Sequence, residues 1–312
     1  MLVTTATDGR HRRHTDEGDT DEQQPNHQAG DVVNVSALVA LDIDGTIVPK
    51  GSLEVPGDTV AAVRDVVAAE HHVVLSTGRS LVGVLPILDA LGLTKGTVIC
   101  SNGSVTARLD AALPGGYEVT KAFTFVTGPA INLVRKTLPG VQIGVEEVGW
   151  GYYVTRLFGP SEVNGAQRIA TVDQLVRSYT PRMILRAPAI LDLAGDLRRL
   201  GLTATPADGD WLDITPGSVS KASALEHVRK TLGIARECTI GVGDGLNDLP
   251  MFAWAARSVA MGQARDVVLE AADHVTGTID EQGLVPVLRA LVPTPVAAHL
   301  PSPATQLVSR VG

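Results

Sequence analysis

Two acids, Asp42 and Asp44, stand one residue apart where the apolar run of "VALDIDGTIV" (residues 39–48) ends. A buried strand rarely carries a carboxylate, because an unpaired charge in apolar surroundings is costly. At the strand end, Asp42 can point an oxygen at an electrophile or a metal, and Asp44 can share that side of the turn. Gly45 tolerates the backbone angles of a tight turn, and exposed N–H groups there could hold phosphate oxygens. A second group of acids occurs in "GVGDGLNDLPM" (residues 241–251), where Asp244 and Asp248 flank Gly245 and Asn247 beyond the apolar "CTIGV". Such a density of acids beside a buried strand is not explained by packing. Magnesium, a hard cation that prefers carboxylate and carbonyl oxygens, is its natural partner.

Two further stretches could join them. In "STGR" (residues 76–79), Thr77 or Ser76 offers a hydroxyl and Gly78 permits close backbone approach. Arg79 either supports an anionic site or forms a structural ion pair. In "TPGSVSKASAL" (residues 215–225), Lys221 falls near a helix start. A cation there opposes the helix dipole unless an anion is close, the other reading being a surface lysine. The glycines of "GVGDGLND" do not keep the G-x-G-x-x-G spacing of a dinucleotide loop, and no GxxxxGK[ST] phosphate loop occurs.

The elements around these stretches alternate. "ALVALDID" reads as a strand, "PGDTVAAVRDVVAAEH" as a helix opened by Pro56 with a cap at Asp58 or Thr59, and "HVVLSTGRS" as a strand and loop. "LVGVLPILDALGL" then reads as a helix and "TVICSNGS" as a strand, and the same rhythm returns from "SKASALEHVRKTLGI" to "GLVPVLRAL". Strands alternating with helices imply parallel pairing through right-handed crossovers, hence an α/β, doubly wound, mostly parallel sheet. Ligands bind such sheets beyond the carboxyl ends of the strands, where all four stretches would face one crevice. Between the blocks the texture turns β-rich, as in "GYYVTRLF" and "RMILRAP", and implies an inserted α/β unit. The expected division is a disordered tail over 1–34, a discontinuous core over 35–104 and 208–292, the insertion over 105–207, and a loose tail over 293–312. Within the insertion, Trp150, Tyr152 and Tyr153 either stack on a ligand or form ordinary core.

Composition sets outer bounds. Hydrophobic residues are 44% of the 312 and aromatics only 4%, so the core rests on Val, Leu, Ile and Ala, a diet suited to parallel strands. The net charge of −8 argues against a nucleic-acid partner. No apolar stretch reaches the length of a membrane span, and the N-terminus lacks the apolar centre of a secretory signal. "HRRH" (residues 11–14) reads as part of a solvated tail, with an anion or metal contact as the alternative. Cys100 and Cys238 both lie in apolar stretches and read as buried thiols, which fits a reducing cytoplasm.

Taken in order, "DIDGT", "STGR", "VSKASAL" and "GDGLNDLPM" resemble the four motifs of the haloacid dehalogenase superfamily of phosphohydrolases. The likeness is to its Cof-type branch, with a Rossmann-like core and a large α/β cap, and covers about residues 37–291. "ICSNGS" and "VAMGQA" also resemble family segments, the latter with Gln263 where the family usually has Asn. The resemblance implies that Asp42 is the nucleophile and Asp44 the general acid and base. It further implies that Asp42, the carbonyl of Asp44 and Asp244 hold Mg2+, supported by Asp248, while Thr77, Lys221 and Asn247 grip phosphoryl oxygens. The expected function is a magnesium-dependent phosphatase acting on a small phosphorylated metabolite, a sugar phosphate or phosphorylated cofactor, under a closing cap. A phosphomutase using the same aspartyl-phosphate, and a catalytically idle regulatory module, are the alternatives.

Overall fold

The computed structural model describes residues 36–160 and 162–292. The expected tails over 1–34 and 293–312, and the "HRRH" run, lie outside the described residues.

Leu38–Leu41 is wholly buried because it is apolar on both faces: Val39 and Leu41 enter one core cluster, Leu38 and Ala40 another. It sits inside an eight-stranded sheet ordered His274–Val275, Arg257–Ala260, Thr239–Gly243, Leu38–Leu41, His72–Ser76, Lys95–Cys100, Val105–Asp110, Tyr117–Ala122. The pairings are parallel as far as Lys95–Cys100, and the last two are antiparallel. Helix Gly57–Ala68 buries Ala62, Val63 and Val66 on one side of this sheet, in the first cluster. Pro56, not Asp58 or Thr59, occupies its N-cap position, and no side chain caps it. Asp58 falls instead in the first turn, where its charge complements the dipole. Helix Lys221–Leu232 buries Ala224, Leu225 and Val228 in the second cluster, on the opposite face. Its start is fixed by a reciprocal cap between Ser220 and Ser223.

A second, six-stranded sheet is ordered Leu202–Asp208, Trp211–Pro216, Met183–Arg186, Gln142–Glu147, Gly151–Val154, Ala166–Ile169, and only its last pairing is parallel. Strand alternation divides its side chains. Ile143, Val145, Met183, Leu185, Leu212 and Ile214 pack with helices Gly128–Thr137 and Ala194–Arg199. Glu146, Tyr152, Arg182, Trp211 and Asp213 belong to the other face and are buried. The insertion's edges differ from the expected 105 and 207. Val105–Asp110 and Tyr117–Ala122 continue the first sheet as antiparallel edge strands, burying Val105, Ala107 and Leu109 in its core. Trp211–Pro216 belongs to the second sheet. Both differences arise from strand pairing between segments that are similar in composition.

The two sheets meet through side chains. Ser101 Oγ lies 2.9 and 2.7 Å from the two carboxylate oxygens of Glu146 and donates to that group. Asn164 packs so closely on Gly83 that a Cβ there would collide with it. Cys100 is buried, whereas Cys238 is only half-buried, and neither is in a disulfide. Among the described residues no helix is long and apolar enough to cross a membrane.

Burial, offset in part by Arg182 and Ser101, pushes Glu146 up from 4.5 to about 7. A carboxyl whose folded pKa is raised stabilises the fold below its unfolded pKa, and that contribution is lost as pH rises through the folded value. This group should therefore remove about 3 kcal/mol of stability between about pH 4.5 and pH 8. Glu146→Gln, which can still accept from Ser101, should flatten that slope in urea unfolding measured across this range. Identical slopes in the two proteins would show that Glu146 is not buried as described.

Candidate active site

The strand order of the first sheet reverses between Leu38–Leu41 and Thr239–Gly243, which are adjacent and parallel. Asp42 leaves the first strand and Asp244 the second, so strand register brings them together at the carboxyl ends. The Asp42 N–H extends the ladder by donating to Val242 O at 2.9 Å. Gly45 turns the chain with φ of 80°, and a Cβ there would overlap the Asp244 carboxylate. Glycine is needed on both counts.

Lys221, at the start of its helix, sends Nζ between two acids and donates to Asp42 Oδ1 and Asp248 Oδ1, each at 2.6 Å. Its side chain is fully buried. Asp248 Oδ2 accepts from the N–H groups of Asp244 at 3.0 Å and Gly245 at 2.9 Å, so both its oxygens are engaged. Asp248 thus shapes the loop that carries Asp244.

The charges are unbalanced. Burial pushes Asp42 well above the usual carboxylate range; Lys221 opposes this, while Asp248 and Asp244 add to it. Burial and Asp248 push Asp244 up to about 6. Burial pulls Lys221 down, but Asp248 and Asp42 outweigh it and hold the ammonium above its ordinary value. Carboxylate oxygens of Asp42, Asp244 and Asp248 lie within 4.8 Å of one another. A hard oxygen donor set in which Asp42 and Asp244 resist ionisation for want of positive charge fits a divalent cation.

Asp44 turns toward Arg79, which donates from Nε to Oδ2 at 2.8 Å and from Nη2 to Oδ1 at 2.7 Å. The Gly51 N–H also donates to Oδ1, at 2.9 Å. Of the two readings left open for Arg79, the structure shows an ion pair, and its partner is a site carboxylate. Burial alone would raise Asp44, but Arg79 and the Gly51 N–H outweigh it and hold the carboxyl below its usual range.

These residues face a cavity of about 340 Å3. Asp42, Asp44, Thr77, Arg79, Asp244, Gly245 and Asn247 line its lower side; Lys221 and Asp248 lie behind that wall, not on it. Thr77, not Ser76, reaches the cavity, its Oγ1 accepting from the Arg79 N–H at 3.1 Å. The second sheet supplies the upper side, including Arg182, Arg186, Asp210, Trp211 and Asp213. Sequence reasoning passed over these. The signal was present in "WLDIT" (residues 211–215), an acid inside an apolar strand like Asp42. Trp150, Tyr152 and Tyr153 do not line the cavity. Trp150 stacks on Tyr153 with centroids 5.3 Å apart, and buried Tyr152 accepts from Arg182 Nη1 at 2.9 Å. Gln263, the departure from the family's usual Asn, has a structural task. It donates to Gly45 O at 2.6 Å and accepts from the Ile279 N–H at 2.9 Å, bracing the turn between Asp42 and Asp244.

The family described as haloacid dehalogenase-like hydrolase matches residues 39–113 and 189–288. This chain belongs to that family. The 5-amino-6-(5-phospho-D-ribitylamino)uracil phosphatase YcsE of Bacillus subtilis is 26% identical over 265 residues, covering 81% of this chain and 94% of that protein. A phosphoglycolate phosphatase of Nitrosopumilus maritimus is 28% identical over 255 residues, covering 81% and 95%. A solved haloacid dehalogenase-like hydrolase from B. subtilis superposes with a TM-score of 0.69 at 25% identity, covering 81% of this chain and 99% of that one. Family and relatives together make this hydrolase a phosphatase.

Lys221→Met would leave Asp42 and Asp248 facing each other without their shared cation. Breaking a buried ion pair in this way typically costs about 3–5 kcal/mol. Urea unfolding should show that loss near pH 8, and a smaller one at a lower pH at which the raised Asp42 carboxyl has taken up a proton. An equal loss at both values would mean that Lys221 does not offset the charge of Asp42.

Proposed function

We propose that this phosphatase hydrolyses a small phosphorylated metabolite, a sugar phosphate or phosphorylated cofactor, through a phosphoryl group carried on Asp42. The observation that supports this most is the meeting of Asp42, Asp44, Asp244 and Asn247 around one cavity, with Lys221 behind Asp42. Asp42, Asp244 and the backbone carbonyl of Asp44 would hold magnesium, whose charge when bound keeps Asp42 ionised beside a phosphate dianion.

In the first step an Asp42 carboxylate oxygen attacks phosphorus, the bond from phosphorus to the leaving oxygen breaks, and Asp44 gives that oxygen a proton. In the second, Asp44 takes a proton from water as the water attacks phosphorus. The bond to Asp42 then breaks, and inorganic phosphate is released. Thr77 and Asn247 orient the phosphoryl oxygens, while Lys221 fixes Asp42 and adds positive charge behind it. Asp44 as held by Arg79 is ionised, the form that the second step requires. For the first step its carboxyl must leave the Arg79 fork and carry a proton.

The second sheet acts as the cap and contacts the leaving group. Its cavity wall carries four carboxylates, Glu162, Asp208, Asp210 and Asp213, against two guanidiniums, Arg182 and Arg186. That balance favours a leaving group whose hydroxyls donate hydrogen bonds over a second anion, which supports the sugar-phosphate reading. A cytoplasmic location suits the two thiols, neither of which is in a disulfide.

Release of phosphate from p-nitrophenyl phosphate and from a panel of phosphorylated sugars and cofactors tests this directly. Activity should require added magnesium and disappear with a chelator. Asp42→Asn should lower kcat by at least about a thousandfold. Acid-quenched Asp44→Asn should retain phosphate on the protein. An Asp42→Asn variant with wild-type turnover would end the proposal.

A further inference from the structure

Asn102 lines the same cavity but has no part in the chemistry described above. It is buried, and its backbone is left-handed, with φ of 54° and ψ of 32°. Asparagine tolerates that conformation better than most residues, so the backbone alone could account for its presence. Its side chain, however, has specific partners on both sides of the cavity. Oδ1 accepts from Asn247 Nδ2 at 3.0 Å, and Nδ2 donates to Asp213 Oδ2 at a longer 3.4 Å.

Asp213 is itself fixed. Arg182 Nη2 donates to both its oxygens, at 2.8 and 2.9 Å, and Trp211 Nε1 donates to Oδ1 at 3.0 Å. Both its oxygens act as acceptors toward these donors, so the further group facing it must also be a donor. That requirement turns the Asn102 amide so that its NH2 faces Asp213 and its carbonyl oxygen faces Asn247. The Asn247 NH2 must then face Asn102, and its carbonyl oxygen occupies the space beside Gly245 where a side-chain Cβ would otherwise stand. One proton of that NH2 is used, and the other remains available at the cavity. Reversed, Asn247 would present a carbonyl oxygen, which repels a phosphoryl group.

We infer that Asn102 is a positioning residue, which carries the acceptor polarity of Asp213 on the second sheet to Asn247 and so keeps its amide donor turned toward the phosphoryl group. The relay makes phosphate affinity in the first sheet depend on the presence of the second sheet's carboxylate. It rests on the phosphoryl-binding role proposed for Asn247.

The test uses the full chain and inorganic phosphate as the probe, with binding followed by calorimetry in the presence of magnesium. Asn102→Gly keeps the left-handed backbone available and removes only the amide. It should weaken phosphate binding by about tenfold or more, the range of a hydrogen bond to a charged group, while the thermal midpoint changes little. Asn247→Ala should give a similar loss, and the double variant should lose no more than either alone, because the two act as one unit. Wild-type affinity in Asn102→Gly, or additive losses in the double variant, would overturn the inference. Nuclear magnetic resonance of the wild-type side-chain amides gives a check that needs no variant. One proton of Asn247 should exchange slowly, and exchange as fast as that of an exposed asparagine would equally overturn it. An absence of phosphatase turnover in a wild-type protein that binds phosphate as described would count against the proposed reaction and leave the relay standing.

Discussion

Lys221 and the two carboxylates it bridges form a buried charged knot on which the rest of the site depends. Each member comes from a different element: Asp42 from a strand end, Lys221 from a helix start, and Asp248 from the loop after the neighbouring strand. Removing such ions from water costs several kcal/mol apiece, and the cost is recovered only with short contacts and no idle donors. The helix dipole opposes a cation at that end, yet the ammonium stays there because two acids face it. The acids cannot drift apart, since Asp42 continues a ladder whose partner strand also leads into Asp244. The sheet holds negative charge together more tightly than Lys221 alone can neutralise. The remaining imbalance, visible in the raised Asp42 and Asp244, is what makes the cavity receptive to a further cation.

The second sheet solves a different problem. A sheet with helices on one face only needs a partner for the other, and here that partner is the mouth of the first sheet. Its inner face therefore buries polar groups beside an apolar cluster of Val154, Phe158 and Ile184, and burying polar groups is expensive unless they find partners. Arg182 donates to Asp213 and Tyr152, and Trp211 donates to Asp213, although Arg182 Nε is left without a partner among the described residues. From below, Asn102 joins them through Asp213, and Ser101 donates to the neighbouring Glu146. The polar contacts that dock the sheet are thus continuous with those that line the cavity. Docking of the sheet and lining of the cavity draw on the same side chains.

Much of this arrangement is readable in the residues. Unbroken apolar strands announce a sheet covered on both faces, and acids at strand ends stand out because burial penalises them. Asp42 and Asp244 are conspicuous for that reason, whereas Lys221 reads equally well as a surface lysine until the two acids facing it are seen. What remains hidden depends on pairings between distant segments. The "VTARLD" strand (residues 105–110) looks like the start of an insertion until its antiparallel pairing with Lys95–Cys100 is seen. Asp213 breaks an apolar strand as Asp42 does, but nothing local says that Arg182 lies beside it. The aromatic run at residues 150–153 is compatible with ligand stacking or ordinary core, and alternation decides for core by sending Tyr152 into the interior of the second sheet. Arg79 shows the same gap in another form: its type is compatible with two roles, and only the position of Asp44 decides between them.

If the reaction runs in the two steps proposed, the Arg79 and Asp44 pair also constrains how its halves can be ordered. A carboxyl held in a guanidinium fork, with a further backbone donor, is a poor proton donor and is already charged for accepting one. One residue can serve both steps only if its surroundings differ between them. Arg79 is held independently of Asp44 by backbone carbonyls, Nη2 donating also to Ser52 O at 2.8 Å and Nη1 to Gly83 O at 3.4 Å, so the partner left to move is Asp44 on its glycine turn. A leaving group entering from the cap side would compete with Arg79 for the same carboxyl oxygens. Displacement from the fork would then raise the proton affinity of Asp44 when the leaving oxygen needs a proton, and departure of the product would let the fork re-form for the water step. On this view Arg79 does no chemistry of its own, and its ion pair gives Asp44 a resting state already suited to the second half of the cycle.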